Sequence, residues 1–272
     1  MPTRVIGPII GSSPGLRRLL WKGWYQFAAK RLKKDDWTFM NYGYAGDVAR
    51  GETVRLEPVD ESNRWSIQLY DRALGGLDLS GLDVLEIGSG RGGGSAYLAK
   101  YLGPRSVLGV DFSSHAVALS RRLHAEVPNL TFMQADAEAL HSEDASFDAV
   151  VNVESSHCYG SMQRFLSGVA RVLRPGGYLL WADMRAPSDR GVVRAQLEAN
   201  GLAILQDEDV SRNVVSALDR VSARNAAMIE QHIPKFLAAQ FRNFAGMPGT
   251  RVYESLRSGA VAYLRFTARK AS

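Results

Sequence analysis

The chain has 272 residues, 46% hydrophobic and 22% charged, the composition of an ordinary soluble globular protein with material for a sizeable core. With 33 Lys and Arg against 28 Asp and Glu the net charge is only +5, too small and too spread to single out nucleic acid as a partner. A single cysteine, Cys158, excludes an internal disulfide, and no Cys/His spacing suits zinc, so no metal is expected.

The opening run Val5–Ile10 is broken by Gly7 and Pro8 and is too short for a secretion signal or a membrane span. A cytoplasmic protein without stable membrane insertion is expected. Over residues 14–34, Leu16, Leu19, Leu20, Trp24, Phe27 and Ala28 recur at helical spacing, and Arg17, Arg18, Lys22, Lys30 and Arg31 fill much of the other face. This predicts a basic amphipathic helix packed on the core or on a second copy in a homo-oligomer, with a membrane surface or an acidic partner as the alternative. An aromatic, turn-like stretch, Trp37 to Tyr44, leads to a helix predicted over 61–74.

From residue 82 strands and helices alternate. Strands are predicted at Val84–Ile87, Ser106–Val110, Leu130–Gln134, Ala149–Val153 and Tyr178–Ala182, with helices at Ser95–Tyr101, Ala116–Glu126 and Met162–Leu173 between them. The fold class is therefore α/β, a doubly wound, Rossmann-like sheet. A helix at Val192–Asn200, a short run at Leu202–Leu205, a mostly helical stretch over 209–246 and a final strand at Val261–Arg269 complete the chain. A helical segment is thus inserted before the last strand, and such insertions commonly shape a pocket at the carboxyl ends of the strands.

Val84-Leu85-Glu86-Ile87-Gly88-Ser89-Gly90-Arg91-Gly92-Gly93-Gly94 is a buried strand running into a glycine turn and then a helix. Gly88, Gly90 and Gly93 satisfy the G-x-G-x-x-G pattern, and Asp111 ends the next strand, where ribose hydroxyls are bound. NAD and S-adenosylmethionine both satisfy that much. Glu86, inside the strand end, would face an ammonium group but repel a pyrophosphate, which favours S-adenosylmethionine. Asp136, after the third strand, is placed to accept a hydrogen bond from an adenine amino group.

In the order of these motifs, residues 82–185 resemble a class I S-adenosylmethionine-dependent methyltransferase. The resemblance implies that Glu86, Gly88 and Gly90 hold the methionine end, Asp111 the ribose and Asp136 the adenine, with Phe112 and Ala137 flanking the ring. Ser89 and Asn152 complete the implied cofactor set, and Tyr42 and Tyr44 close over it. A narrower resemblance, carried by Asn41-Tyr42-Gly43-Tyr44, Asn63-Arg64, Leu69-Tyr70 and Asn152-Val153-Glu154-Ser155-Ser156-His157-Cys158-Tyr159, is to the actinobacterial phthiotriol and phenolphthiotriol dimycocerosate methyltransferases, which O-methylate a hydroxyl on a long lipid. Proteins of the same organisation methylate other hydrophobic natural products, some at carbon. The implied divisions are residues 1–75, an N-terminal extension and lid; 76–208, the cofactor core; 209–248, a substrate cap; and 249–272, the last strand.

Methyl transfer from a sulfonium is an in-line displacement that needs alignment and no metal. An alcohol acceptor also needs a base, and His157, just beyond the fourth strand, is the candidate, with Glu154 second. Asp183 either reaches the pocket or pairs with Arg185. Trp37, Phe39, Trp181, Phe236, Phe241 and Phe244 are candidates to line a pocket for a hydrophobic small-molecule acceptor. Methylation of an alkene carbon, with or without cyclisation, stays open, because aromatic faces stabilise carbocations. A non-catalytic cofactor-binding assembly protein and an NAD oxidoreductase are the readings from other classes. No Asn/Asp-Pro-Pro-aromatic tetrapeptide for gripping a flipped base is present.

Overall fold

The computed structural model describes residues 37–47 and 53–272, so the basic helix predicted over 14–34 lies outside the described residues. Val84–Ile87 and Ala149–Val153 are apolar almost without interruption, as strands covered on both faces must be. Both lie mid-sheet. Strand β1 (Asp83–Ile87) pairs in parallel with β2 (Ser106–Asp111) on one side and β4 (Phe147–Val153) on the other. Parallel β3 (Leu130–Gln134) lies beyond β2, and parallel β5 (Leu173–Arg185) beyond β4. Antiparallel β7 (Ala262–Lys270) pairs with β5 and with the edge strand β6 (Leu202–Asp209), giving the order β3-β2-β1-β4-β5-β7-β6.

Successive strand residues point to opposite faces, so each central strand feeds two cores. Val84, Ala149 and Val151 join the core beneath α1 (Arg64–Leu74) and α2 (Gly93–Tyr101), together with Ile67, Leu69 and Leu98. Leu85, Ile87 and Val150 join the other, with Phe165, Leu166, Val169 and Val172 of α4 (Met162–Val172) and Leu197 of α5 (Arg190–Ala199). Helix α3 (Ser114–Leu123) connects β2 to β3, and Ser113 caps its N-terminus by accepting a hydrogen bond from Ala116 N. Between β6 and β7 stand α6 (Ser211–His232), α7 (Lys235–Phe244) and α8 (Arg251–Arg257). No helix among the described residues is long and apolar enough to cross a membrane.

The structure moves several predicted boundaries, each for a local reason. Strand β5 begins at Leu173 rather than Tyr178, because Leu173 pairs with Phe147 and Tyr178 with Ala149, and the residues between bulge through Gly176 at φ 77°. Helix α3 stops at Leu123, before Pro128, and the predicted 61–74 helix is a 3₁₀ turn, Pro58–Asn63, followed by α1. Strand β6 continues past Leu205 to Asp209 on its ladder with β7, and a register shift between Ile204 and Gln206 leaves Leu205 55% exposed. The segment 249–272, expected as a strand alone, also carries α8.

Phe165 is fully buried and Phe236 is 78% exposed. Phe165→Ala is expected to cost about 3–5 kcal/mol in urea unfolding, and Phe236→Ala less than about 0.5 kcal/mol. Equal costs would contradict this assignment of the core.

Candidate active site

Where β1 ends, the chain must turn sharply beside the loop that follows β4. Gly88, Gly90 and Gly92 take φ values of 79°, 53° and 81°. A Cβ on Gly88 would lie 2.3 Å from Ser155 Oγ, so a side chain there is excluded twice over. The N–H groups of Gly88 and Ser89 donate to Val110 O at 2.8 and 3.0 Å, fastening the turn to β2. A cavity of about 180 Å³ opens at the carboxyl ends of β1 to β4.

Gly88, Ser89, Gly90, Asp111, Phe112, Asp136 and Ala137 all line this cavity, so the structure brings together most of the cofactor set read from the sequence. Asp111 Oδ2 accepts from Gly90 N at 2.9 Å and Oδ1 from Ser113 N at 2.8 Å, while burial pushes its carboxyl up from the ordinary range. Ser89 is 5% exposed, and its hydroxyl has no hydrogen-bond partner among the described residues. A buried hydroxyl left unsatisfied on a cavity wall fits the polar part of a bound ligand.

Four residues of the expected set stand elsewhere. Glu86 is fully buried and is not part of the wall. Its Oε1 accepts from Tyr70 OH at 2.6 Å and its Oε2 from the Ser95 hydroxyl, so it anchors Tyr70, which does line the cavity. Tyr44 is buried in the core, its N–H donating to Trp65 O at 2.9 Å. Tyr42 is also off the wall and donates its backbone N–H to Glu154 Oε2 at 2.9 Å. The covering segment sits just upstream, at Thr38–Asn41. Asn152 is fully buried beneath the site, where its Nδ2 donates to Ile87 O, Ser155 Oγ and Tyr159 OH at 2.8, 2.8 and 3.0 Å.

Beyond β4 the backbone is strained at Glu154, a non-glycine residue at φ 50° that lines the cavity. Its Oε2 also accepts from Tyr263 OH at 2.9 Å, and burial raises its carboxyl to about 8, so it is uncharged at neutral pH. A 3₁₀ turn, Ser156–Cys158, follows. Here His157 Nδ1 meets Asp183 Oδ1 at 2.7 Å, and Asp183 Oδ2 accepts from His157 N at 2.8 Å and Ser156 Oγ at 2.6 Å. Arg185 Nη1 stands 3.3 Å from the same oxygen, so Asp183 pairs with both His157 and Arg185. Burial opposes the charged imidazolium, but Cys158 and Asp183 beside it outweigh burial and hold His157 well above its ordinary value. Burial likewise opposes the Asp183 carboxylate, and His157 and Arg185 override it and keep Asp183 anionic.

His157 is 19% exposed and is not itself on the wall of this cavity, whereas its neighbours Glu154, Ser155, Cys158 and Tyr159 are. Among the aromatic candidates for an acceptor pocket, Phe39 lines the cavity and Trp37 lines a neighbouring cleft. Trp181 is 1% exposed, packed on Phe266 inside the sheet core, and Phe241 is 2% exposed in a small cluster with Ile229 and Met247. Phe236 faces solvent. Tyr70 and Tyr159 fall inside the motif segments without being singled out there as site residues; Tyr70 is placed on the wall by its hydrogen bond to Glu86 and Tyr159 by its bond to Asn152, seven residues before it. Among the described residues no group of three or more His, Cys, Asp or Glu could hold a metal ion.

A methyltransferase domain family matches residues 85–181, the glycine turn through β5. Over 253 residues the chain is 37% identical to a phthiotriol/phenolphthiotriol dimycocerosates methyltransferase of Mycobacterium tuberculosis, covering 93% of this chain and 92% of that one. The chain belongs to the class I S-adenosylmethionine-dependent methyltransferases. This methyltransferase is also 38% identical to a fatty-acid O-methyltransferase of Mycolicibacterium smegmatis, over 88% of its own length and 85% of the other. A crystal structure from Galdieria sulphuraria, assigned as a sarcosine dimethylglycine methyltransferase, shares the fold at a TM-score of 0.71 and 16% identity, covering 89% of this chain and 98% of that one.

A folded-state acid raised to about 8 binds its proton more tightly than the unfolded chain does, so its contribution to stability is lost as pH climbs from the ordinary carboxylate range toward 8. Glu154→Gln keeps an acceptor for Tyr42 N and Tyr263 OH and removes that loss. The difference in melting temperature, variant minus wild type, is expected to grow between about pH 5 and about pH 8; a flat or falling difference would contradict the buried, uncharged Glu154.

Proposed function

We propose that this methyltransferase transfers a methyl group from S-adenosylmethionine to a hydroxyl oxygen of a long-chain hydrophobic small molecule, with His157 as the base. The observation that carries the reading is the 2.7 Å pair between His157 Nδ1 and the fully buried Asp183, beside Glu154, Ser155, Cys158 and Tyr159 on the cavity wall. The methyltransferase relatives named for phthiotriol lipids and fatty acids support a hydrophobic acceptor. Bound S-adenosylmethionine supplies an electrophilic methyl carbon. The residues that would hold it are those lining the glycine turn and the ends of β2 and β3, above all Ser89, Asp111 and Asp136.

The work left to the chain is to orient an acceptor oxygen and take its proton. Asp183 accepts from Nδ1 and thereby makes Nε2 the proton-accepting nitrogen of His157. Ser156 and Arg185 fix Asp183 in turn, and Trp181 Nε1 donates to Ser156 Oγ at 2.9 Å, so the whole arrangement is braced from the sheet core. Glu154, uncharged near neutrality, keeps a second negative charge away from the acceptor.

The relation to a fatty-acid O-methyltransferase favours one second reading, a carboxyl oxygen as acceptor. A carboxylate arrives already deprotonated and needs no base. His157→Ala separates the two: with a hydroxyl acceptor kcat is expected to fall about 10²–10⁴-fold, while with a carboxylate acceptor it changes little. For hydroxyl methylation, kcat/KM is expected to rise with pH along a limb above the ordinary histidine value, since the imidazolium must lose its proton first. Asp183→Asn removes the anion that stabilises the imidazolium, so that limb moves to lower pH. An unchanged limb in Asp183→Asn, or full hydroxyl methylation by His157→Ala, would overturn the assignment.

A further inference from the structure

A second and much larger cleft, of about 960 Å³, lies behind the covering segment, away from His157 and Glu154. One bank is a single face of α2, where Gly93, Ala96, Tyr97 and Lys100 recur at helical spacing. The other is a single face of α6, with Arg224, Ala227, Met228, Gln231 and His232. Trp37, Phe39 and Ile67 give it an apolar floor. Its volume is at the upper end of those that take a small molecule.

The charge in the cleft is unbalanced. Asp60 is the one acid among the described wall residues, and its Oδ2 already accepts from Tyr101 OH at 2.7 Å. Against it stand, among the described residues, Lys100, which has no hydrogen bond or ion pair, and Arg224, whose one hydrogen bond is to the neutral carbonyl of Ser62. An apolar floor and two cationic side chains in one cleft suit one ligand chemistry, an alkyl chain ending in an anion.

We propose that this cleft is a second binding site, taking a single-chain anionic amphiphile whose chain lies on Trp37, Phe39 and Met228 and whose charged end meets Arg224 and Lys100. Thr38 and Phe39 line this cleft and the cofactor cavity alike. Phe39 also packs edge-on against Tyr70, ring centroids 6.0 Å apart, and Tyr70 is the residue that Glu86 holds on the cofactor wall. Occupancy of one site is therefore felt at the other through a shared wall, and the coupling is reciprocal.

The test is calorimetric titration of the full-length protein with dodecanoate, with dodecanol and acetate as the chain-only and head-only arms, each with and without saturating S-adenosylhomocysteine. Dodecanoate is expected to bind once per chain and to remain bound beside S-adenosylhomocysteine. Ala227→Trp, which fills the cleft from an exposed helix position, is expected to weaken dodecanoate at least about tenfold and to leave S-adenosylhomocysteine affinity in the absence of amphiphile within about twofold, which also reports that the variant is folded. The pair Lys100→Gln and Arg224→Gln is expected to weaken dodecanoate about tenfold and dodecanol hardly at all, and acetate is not expected to bind measurably. His157→Ala is expected to bind dodecanoate as the wild type does, so failure of the catalytic reading leaves this result intact. The proposal is overturned if the wild type does not bind dodecanoate, if Ala227→Trp binds it unchanged, or if S-adenosylhomocysteine expels it. It is also overturned if Ala227→Trp instead dissociates a dimer in light scattering, which would make a second copy of the chain the occupant.

Discussion

The amide of Asn152 joins the two loops that wall the cavity at the carboxyl ends of the central strands. It sits one residue beyond the last β1–β4 register pair, Glu86 with Val151, and its Nδ2 reaches Ile87 O at 2.8 Å on one side and Ser155 Oγ and Tyr159 OH on the other. Because those loops are locked at this separation, Ser155 occupies the space where a Cβ on Gly88 would lie, and the glycine turn is forced into its left-handed path. The glycine turn and the 154–159 loop are therefore tied to each other by one buried side chain in the sheet.

Carboxyl groups do different work here according to what faces them. Glu86, Asp111 and Glu154 are all pushed up by burial, and among the described residues none has a cationic side chain as a hydrogen-bond partner. Asp183, buried as deeply, is pulled the other way by His157 and Arg185. The same desolvation thus yields groups that structure a wall and one that stays anionic to orient a histidine, and the difference lies in the partner rather than the depth. The strained φ of Glu154 belongs to the same logic, because it turns the chain out of β4 in time to set His157 opposite the end of β5.

The sheet was legible because its strands are short apolar runs bounded by Gly, Asp and Pro, and the glycine turn was legible because its residues are contiguous. Asp111, at the end of β2, and Asp136, two residues beyond β3, are marked out by their place after a strand, and both line the cavity. The pairing of His157 with Asp183 spans 26 residues and depends on the parallel β4–β5 register, which no local pattern encodes. The motif position of Glu86 implies a carboxyl facing the ligand, but its side-chain oxygens are taken by Tyr70 and Ser95, two residues on different helices. Residue type alone makes Trp181 a candidate pocket aromatic, whereas strand alternation turns it into the core. The β5 bulge and the continuation of β6 come from ladder pairing with distant strands, which also lies beyond local sequence.

The central claim is that the glycine-turn cavity takes S-adenosylmethionine through Asp111. Its most direct test is calorimetric titration of the wild type and Asp111→Ala with S-adenosylhomocysteine and, in parallel, with NAD, with thermal unfolding to show that both proteins are folded. The account predicts saturable binding of S-adenosylhomocysteine to the wild type, weakened at least about tenfold by the substitution, and no binding of NAD. Binding of NAD alone, or S-adenosylhomocysteine binding that is indifferent to Asp111, would contradict it.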